Sequence, residues 1–260
     1  DAEADGMILA VDAGNSNIVL GCMEGLEIRH TLRLKTDRAT SAAGYTVTLQ
    51  AALAQAGFSV AGFEGGILSS VVAAVTEPLR QALSALLSGP VLVVGKTAKT
   101  TLPLCIDQPE TIGADLIAAA EGALAQYAPP LVLIDMGTAT TFSVLDKSGA
   151  FLGGAIAPGV QLGAEALTQR TGLPMTDLSA PQSPLSHSTT DCLRSGVIYG
   201  AAAMVDGMLD RLETALGTPV TAIATGGLAR CVIPHCRRPV TLDDQLLLRG
   251  LAVMYRREMT

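Results

Sequence analysis

The chain has 260 residues, nearly half of them hydrophobic but only 3% aromatic and none tryptophan, so its core must be layered from Ala, Leu, Val and Ile. A formal charge of −7 argues against nucleic acid as a main partner, because phosphate backbones are bound through basic patches. No apolar run approaches the roughly 20 residues of a membrane helix, and five scattered cysteines, an odd number, fit reduced thiols in a cytoplasmic protein.

The acidic residues 1–6 carry no basic-then-apolar signal pattern, and the natural start is expected at Met7. Strands are then expected at 7–12, 18–23 and 27–34, separated by the turns "AGNSN" and "EG". A helix at 42–56 ends at Gly57. A buried strand at 65–72, a helix at 78–87 and a strand at 91–95 follow. An Ala-rich helix at 114–127 is ended by Pro129 and Pro130.

The order then repeats. Strands at 131–135, 141–146 and 150–156 are joined by "MGTAT" and "DKSG", and helices follow at 160–169 and 191–216. A strand at 220–227 leads into a glycine turn, and a helix at 242–257 ends the pattern. The expected fold class is therefore α/β, with two duplicated ribonuclease-H-like halves, at 7–113 and 114–260, and a nucleotide cleft between them. The last helix is free to pack on the first half.

"GPVLVVGKT" imitates a phosphate loop but has five residues between Gly89 and Gly95 where that motif has four, and its "VLVV" is a strand. A dinucleotide-binding glycine fingerprint is missing too. What stands out is a repeated strand tip. "DAGNSN" and "DMGTATT" each end an apolar strand in Asp, one residue, Gly and small polar residues. Backbone amides after Gly14 can converge on an anion, as in backbone nests. Asp12 would repel phosphate alone, so it makes sense with a cation between them. Asp135, Gly137 and Thr138 offer the same set. Each tip alone would read as an ordinary hairpin turn; the repetition favours a ligand. In "TIGADL", Asp115 opens a helix, either as a dipole partner or as a base that takes a proton from an attacking hydroxyl.

The segments "DAGNSNIVLG", "RLKTDR", "SSVV", "IGADL", "DMGTATT", "GGAIAPG", "TGLP", "LRSGVIYG", "ATGGLA" and "LLLRGLAVMY", in this order, resemble type III pantothenate kinases over essentially the whole chain from Met7. The resemblance implies an actin-like sugar-kinase fold and transfer of the ATP γ-phosphate to pantothenate. It further implies Mg2+ with ATP, a monovalent cation (K+ or NH4+) and a homodimer, with neither nucleic acid nor membrane as partner.

By position, it implies ATP binding by Asp12, Ala13, Gly14, Asn15, Ser16, Asn17, Ile18, Val19 and Thr138, and catalysis by Asp115 as general base. It implies a substrate site at Gly113, Ala114, Asp115, Leu116, Thr189 and Ile106, and a monovalent-cation ligand in Asp135. The chain departs from the family where Leu116 stands for a common arginine, Ala43 and Gly44 for an acidic pair, Ile106 for a tyrosine and Val19 for a lysine. Arg170 and Arg194 are candidates to replace the missing arginine. The departures leave two alternatives open: a weakened homologue with a regulatory role, or a kinase of the same fold acting on another small alcohol.

Overall fold

The computed structural model describes residues 6–174 and 177–260; the acidic lead at 1–5 lies outside them. Two five-stranded sheets form the frame. In the first, β1 (Met7–Ala13), β2 (Asn17–Glu24) and β3 (Glu27–Lys35) make an antiparallel meander, and β4 (Phe63–Ser70) and β5 (Val91–Val93) join β1 in parallel, giving the order β3-β2-β1-β4-β5. The second has β6 (Leu131–Met136), β7 (Ala139–Leu145), β8 (Phe151–Pro158), β9 (Thr221–Thr225) and β10 (Thr241–Leu242) in the order β10-β9-β6-β7-β8. Read from the meander edge, the two topologies are the same.

Residues of β1 alternate between faces, and both faces are buried, which explains its unbroken apolar run. Leu9, Val11 and Ala13 pack with Leu49 and Leu53 of α1 (Ala42–Gln55) and with Val75, Leu79 and Leu83 of α2 (Ala73–Leu86). Ile8 and Ala10 pack with Ile117 and Ala118 of α3 (Ala114–Leu124) and with Leu248, Leu251 and Tyr255 of α7 (Leu246–Met259). In the second sheet, Val132, Ile134 and Met136 pack against α4 (Val160–Thr171), α5 (Thr189–Leu216) and α6 (Ala229–Val232).

The chain divides into two compact units. One comprises Asp1–Leu102, Gln108–Gln126 and Gln245–Thr260; the other comprises Pro103–Asp107 and Tyr127–Asp244. The expected boundary at 113/114 is crossed, because α3 and α7 both belong with the first sheet. Their pairing is backbone to backbone: a Cβ on Gly122 would overlap the Leu246 carbonyl oxygen, and one on Gly250 would overlap that of Ala118. Sequence periodicity marks each helix but cannot show that crossing.

Two elements differ from expectation. The second helix begins at Ala73, a turn before Pro78, because Thr76 donates to the Val72 carbonyl through its amide (3.2 Å) and its hydroxyl (3.0 Å). The last helix begins at Leu246, after the two-residue strand β10, which is too short to leave a pattern. The first three residues of "VLVV" form β5 (Val91–Val93), as expected for a strand in place of a phosphate loop. Among the described residues, no helix is long and apolar enough to cross a membrane.

The crossing of α3 and α7 makes a prediction with a control of opposite sign. Gly122→Val should lower stability by at least ~1–3 kcal/mol, the usual range for overpacking. Gly200→Ala, in open space within α5, should raise it by up to ~1 kcal/mol. Urea unfolding of the two variants measures both.

Candidate active site

In the first unit the site grows from the tip of β1. Asp12 shares its face with Ile8 and Ala10, and its neighbours by strand register are Val19 on β2 and Ser69 on β4. Ser69 is fully buried, and its hydroxyl donates to Asp12 Oδ1 at 2.9 Å, which holds one carboxylate oxygen in place. Beyond Asp12 the chain turns through Gly14, Asn15 and Ser16. The Gly14 amide donates to the Asn17 carbonyl at 3.0 Å, and the Thr36 hydroxyl donates to the Gly14 carbonyl at 2.7 Å. The Thr36 amide donates to the Ser16 carbonyl at 3.1 Å. Gly14 turns without a positive φ. Its small size matters for close approach, since a Cβ would stand 3.3 Å from the Asn17 carbonyl oxygen. Asn15 and Ser16 are exposed, and Ile18 is buried in the core below.

Asp115 lies at the same end of this unit. The Val71 amide donates to the Ala13 carbonyl at 3.2 Å. A Cβ on Gly113 would stand 3.6 Å from Val71 Cγ1. Gly113 is the N-cap of α3 and makes no side-chain cap bond. Asp115, in the first turn, instead accepts the Leu116 amide at 2.8 Å. The carboxylate lies so close over Gly113 that any side chain there would collide with it. Burial raises the Asp115 pKa above its ordinary value, while the amides of Leu116 and of Asp115 itself pull against that shift. The residue is therefore a dipole partner and also a buried carboxylate with heightened proton affinity. The two readings of "IGADL" are compatible.

In the second unit Asp135 stands at the end of β6, between Thr141 on β7 and Thr225 on β9 by register. The "ATGG" turn presses on it. Gly226 has φ +93°, and a Cβ there would lie 2.5 Å from Asp135 Oδ1 and 2.7 Å from the Met136 nitrogen, so only glycine fits. Thr138 is exposed in the β6–β7 turn, where the Gly137 amide donates to the Ala139 carbonyl at 3.0 Å and the Gly159 amide donates to the Thr138 carbonyl at 3.2 Å. Two hydroxyls next to this tip, Thr140 Oγ1 and Thr141 Oγ1, are buried without a hydrogen-bond partner among the described residues. Buried polar atoms are rarely left so.

No group of three or more His, Cys, Asp or Glu side chains able to hold a metal occurs among the described residues. A cation at Asp135 would be held by one carboxylate with neutral oxygens. That donor set suits a hard, singly charged ion better than a transition metal.

Gly159 also borders a cavity of about 590 Å³ between α4 and α5, lined largely by apolar groups including Leu167, Leu193 and Val197, with Thr189 and Cys192 at its edge. Thr189 is the first residue of α5, positioned by the N-cap Ser188, whose hydroxyl accepts the Asp191 amide at 3.1 Å. Ile106 belongs to the second unit, with its Cγ2 3.5 Å from where a Gly153 Cβ would stand. Thus Asp12 through Val19 and Gly113, Ala114, Asp115 and Leu116 gather in the first unit, whereas Ile106, Asp135, Thr138 and Thr189 lie in the second. Of the two candidate replacement arginines, Arg194 is already paired with Asp177 at 2.7 Å and Asp191 at 3.4 Å, which disfavours it. Arg170 is exposed in the last turn of α4.

Sequence reasoning gave no role to Ser69, Thr36 or Thr225, each of which reaches the site through a partner distant in sequence. Thr141 pairs with Asp135 within one hairpin, and its signal was the run of hydroxyls in "DMGTATT".

A family model described as type III pantothenate kinase matches residues 8–211. Three proteins named type III pantothenate kinase are similar over nearly their whole length. One from Exiguobacterium sp. is 38% identical, covering 96% of this chain and 99% of the relative. One from Pelobacter propionicus is 36% identical with the same coverage, and one from Brevibacillus brevis is 34% identical over 98% and 100%. Among solved structures, component A of the (R)-2-hydroxyglutaryl-CoA dehydratase of Acidaminococcus fermentans superposes with a TM-score of 0.60 at 13% identity, covering 98% and 100% of the two chains. The ROK hexokinase of Thermus thermophilus does so with 0.54 at 14% identity, covering 96% and 98%. At those identities the likeness is one of fold: the halves described above are those of actin-like ATPases and sugar kinases.

The raised pKa of Asp115 gives a stability prediction. The folded protein binds this proton more tightly than the unfolded chain does. The associated stability is therefore fully present below the unfolded pKa of about 3.9 and is lost as pH rises through the folded value. Asp115→Asn stays neutral and keeps an acceptor for the Leu116 amide. Its melting temperature relative to the native protein should climb between pH 4 and pH 8. A constant gap across that range would contradict the burial of this charge.

Proposed function

The chain belongs to the type III pantothenate kinase family, and from that premise we propose how its residues carry the reaction. Its activity is the ATP-dependent phosphorylation of pantothenate to 4'-phosphopantothenate, the first step towards coenzyme A. ATP is used with a divalent metal. The finer assignments that follow are Mg2+ for that metal, K+ or NH4+ at a second site, a homodimer and a cytoplasmic location. Five free cysteines support the location. The exposed apolar side chains of Leu162, Leu185 and Leu167, the last of which lines the α4–α5 cavity, support the assembly.

The single observation that carries the mechanism is the buried Asp115 carboxylate, raised in proton affinity and held at the β1-tip end of the first unit. The primary hydroxyl of pantothenate donates its proton to Asp115 as its oxygen bonds to the γ-phosphorus. The bridging β–γ P–O bond breaks in line, and ADP leaves with the electron pair. The turn from Asp12 to Val19 receives the phosphates, its Gly14 allowing close approach, and Thr138 makes a further contact with ATP. Gly113, Ala114 and Leu116 frame the acceptor around Asp115 in the first unit; Thr189 and Ile106, in the second, are assigned to the substrate by the family resemblance alone.

Asp12, one oxygen of which is held by Ser69, would hold the divalent ion that enters with ATP, and that ion would supply neutralisation of phosphate charge. Asp135, Thr141 and Thr225 would hold the monovalent cation. Asp135 supplies the charge, and the orphaned Thr141 hydroxyl is an oxygen without other employment. Leu116 puts no charge against the pantothenate carboxylate, and Ala43 and Gly44 leave the first turn of α1 without acids. Both features belong to substrate affinity, and the Leu116 amide still donates to the Asp115 carboxylate at 2.8 Å.

Pantothenate-dependent ADP release tests the reading. Asp115→Asn should lower turnover by roughly 100-fold or more, the scale of a lost general base. Undiminished turnover would remove Asp115 from the mechanism. For the cation, K+ should raise the melting temperature of the native protein above its value in Na+ at equal ionic strength, and Thr141→Val should erase that difference while Thr141→Ser keeps it. An unchanged K+ response in Thr141→Val would rule out Thr141 as a ligand.

A further inference from the structure

The row of side chains that crosses the first sheet at the level of Asp12 continues to a cation. Val19 is the cross-strand partner of Asp12 on one side and of Arg33 on the other, so Ser69, Asp12, Val19 and Arg33 lie side by side on one face. One pleat nearer the end of the sheet, on that same face, Lys35 pairs with Asn17 at the close of the β1–β2 turn. Both cations are exposed. Arg33 has neither an ion pair nor a hydrogen-bond partner among the described residues. Arg29 on the same strand is a contrast, held by Glu24 at 2.6 Å and Glu27 at 3.2 Å. Asp37, two residues on, is held below the ordinary carboxylate range mainly by hydrogen bonds from the Ala39 amide and the Thr40 hydroxyl, with Lys35 adding a smaller charge effect.

Charge balance gives this pair a task. The turn "DAGNSNIV" contains no basic residue. The β1-tip end of the unit carries Asp12 and Asp115, and the protein as a whole is acidic at −7. A nucleotide polyphosphate arriving there meets two carboxylates, and backbone amides with one divalent ion are weak compensation. Arg38 donates to Asn15 Oδ1 at 3.0 Å and so already brings one charge to the turn from outside it. Arg33 and Lys35 are the cations that the register brings onto the face of Asp12. Two strand spacings, about 10 Å, separate the backbones of Arg33 and Asp12. Between them stands the half-buried Val19, an uncharged side chain in the middle of the row.

Resting on the ATP reading of the β1 tip, we infer that Arg33, supported by Lys35, binds the polyphosphate of the nucleotide from the third strand, bringing to the site a charge that its own turn lacks. A guanidinium suits this place, because its fork grips two phosphate oxygens at once.

The experiment is calorimetric binding of Mg·ATP, with steady-state kinetics alongside, for the native protein, Arg33→Ala, Lys35→Ala and the double variant Val19→Lys/Arg33→Ala. Arg33→Ala should weaken Mg·ATP binding at least about tenfold, the scale of one charge-assisted contact. It should raise KM for ATP while leaving KM for pantothenate and the melting temperature in place. Lys35→Ala should act in the same direction and less strongly. Val19→Lys, which restores a cation at the middle of the row, should recover most of the binding lost in Arg33→Ala. Native affinity in Arg33→Ala, or no recovery in the double variant, overturns the inference. A native protein that does not bind Mg·ATP would instead strike at the ATP reading itself, so the two failures are told apart.

Discussion

Each sheet of this protein closes its central strand on a carboxylate, and everything around the two tips follows from keeping those charges in place. β1 and β6 are buried apolar strands, and an aspartate at the end of such a strand loses much of its hydration. It persists only if neighbours replace the lost water or a cation is bound. The first tip uses the Ser69 hydroxyl at 2.9 Å. The second is crowded by a glycine turn so close that a Cβ on Gly226 would lie 2.5 Å from Asp135 Oδ1, and it has hydroxyl residues on both flanking strands.

The duplication is therefore one of frame, with chemistry divided between the copies. At the level of the aspartate, the first sheet reads Ser69, Asp12, Val19, Arg33 across its strands, and the second reads Thr225, Asp135, Thr141, Ile156. A carboxylate with a cation two strands away suits an anion carrying a hydrated metal. A carboxylate between two hydroxyls, with an exposed isoleucine beyond, suits a small cation stripped of water. Asp115 completes the first set, because α3 packs on the face of the sheet that holds Asp12 and presents its N-terminus near the strand tip.

Much of this was legible in the sequence. The meanders showed themselves through short apolar runs broken by glycine turns, and the repeat of Asp-x-Gly tips pointed to both carboxylates. The start of α3 was marked by Gly113 and Asp115. What escaped was long-range. Ser69 meets Asp12 across 57 residues, Thr225 meets Asp135 only through register, and the glycine-to-glycine crossing of α3 and α7 moves both helices into the first unit. Arg194 looked available for a substrate carboxylate until its pairing with Asp177 and Asp191 was seen. Pro78 marked no helix start, because a threonine hydroxyl and amide close the preceding turn on Val72.

The central claim is that a buried, proton-hungry Asp115 is the base in phosphoryl transfer. The most direct measurement is the pH dependence of kcat/KM for pantothenate at saturating Mg·ATP. Activity should fall on the acid side through a single ionisation that lies above the ordinary aspartate value of about 3.9, in keeping with the direction of the Asp115 shift. A rate that stays level down to that ordinary value, in protein that remains folded, would contradict the assignment.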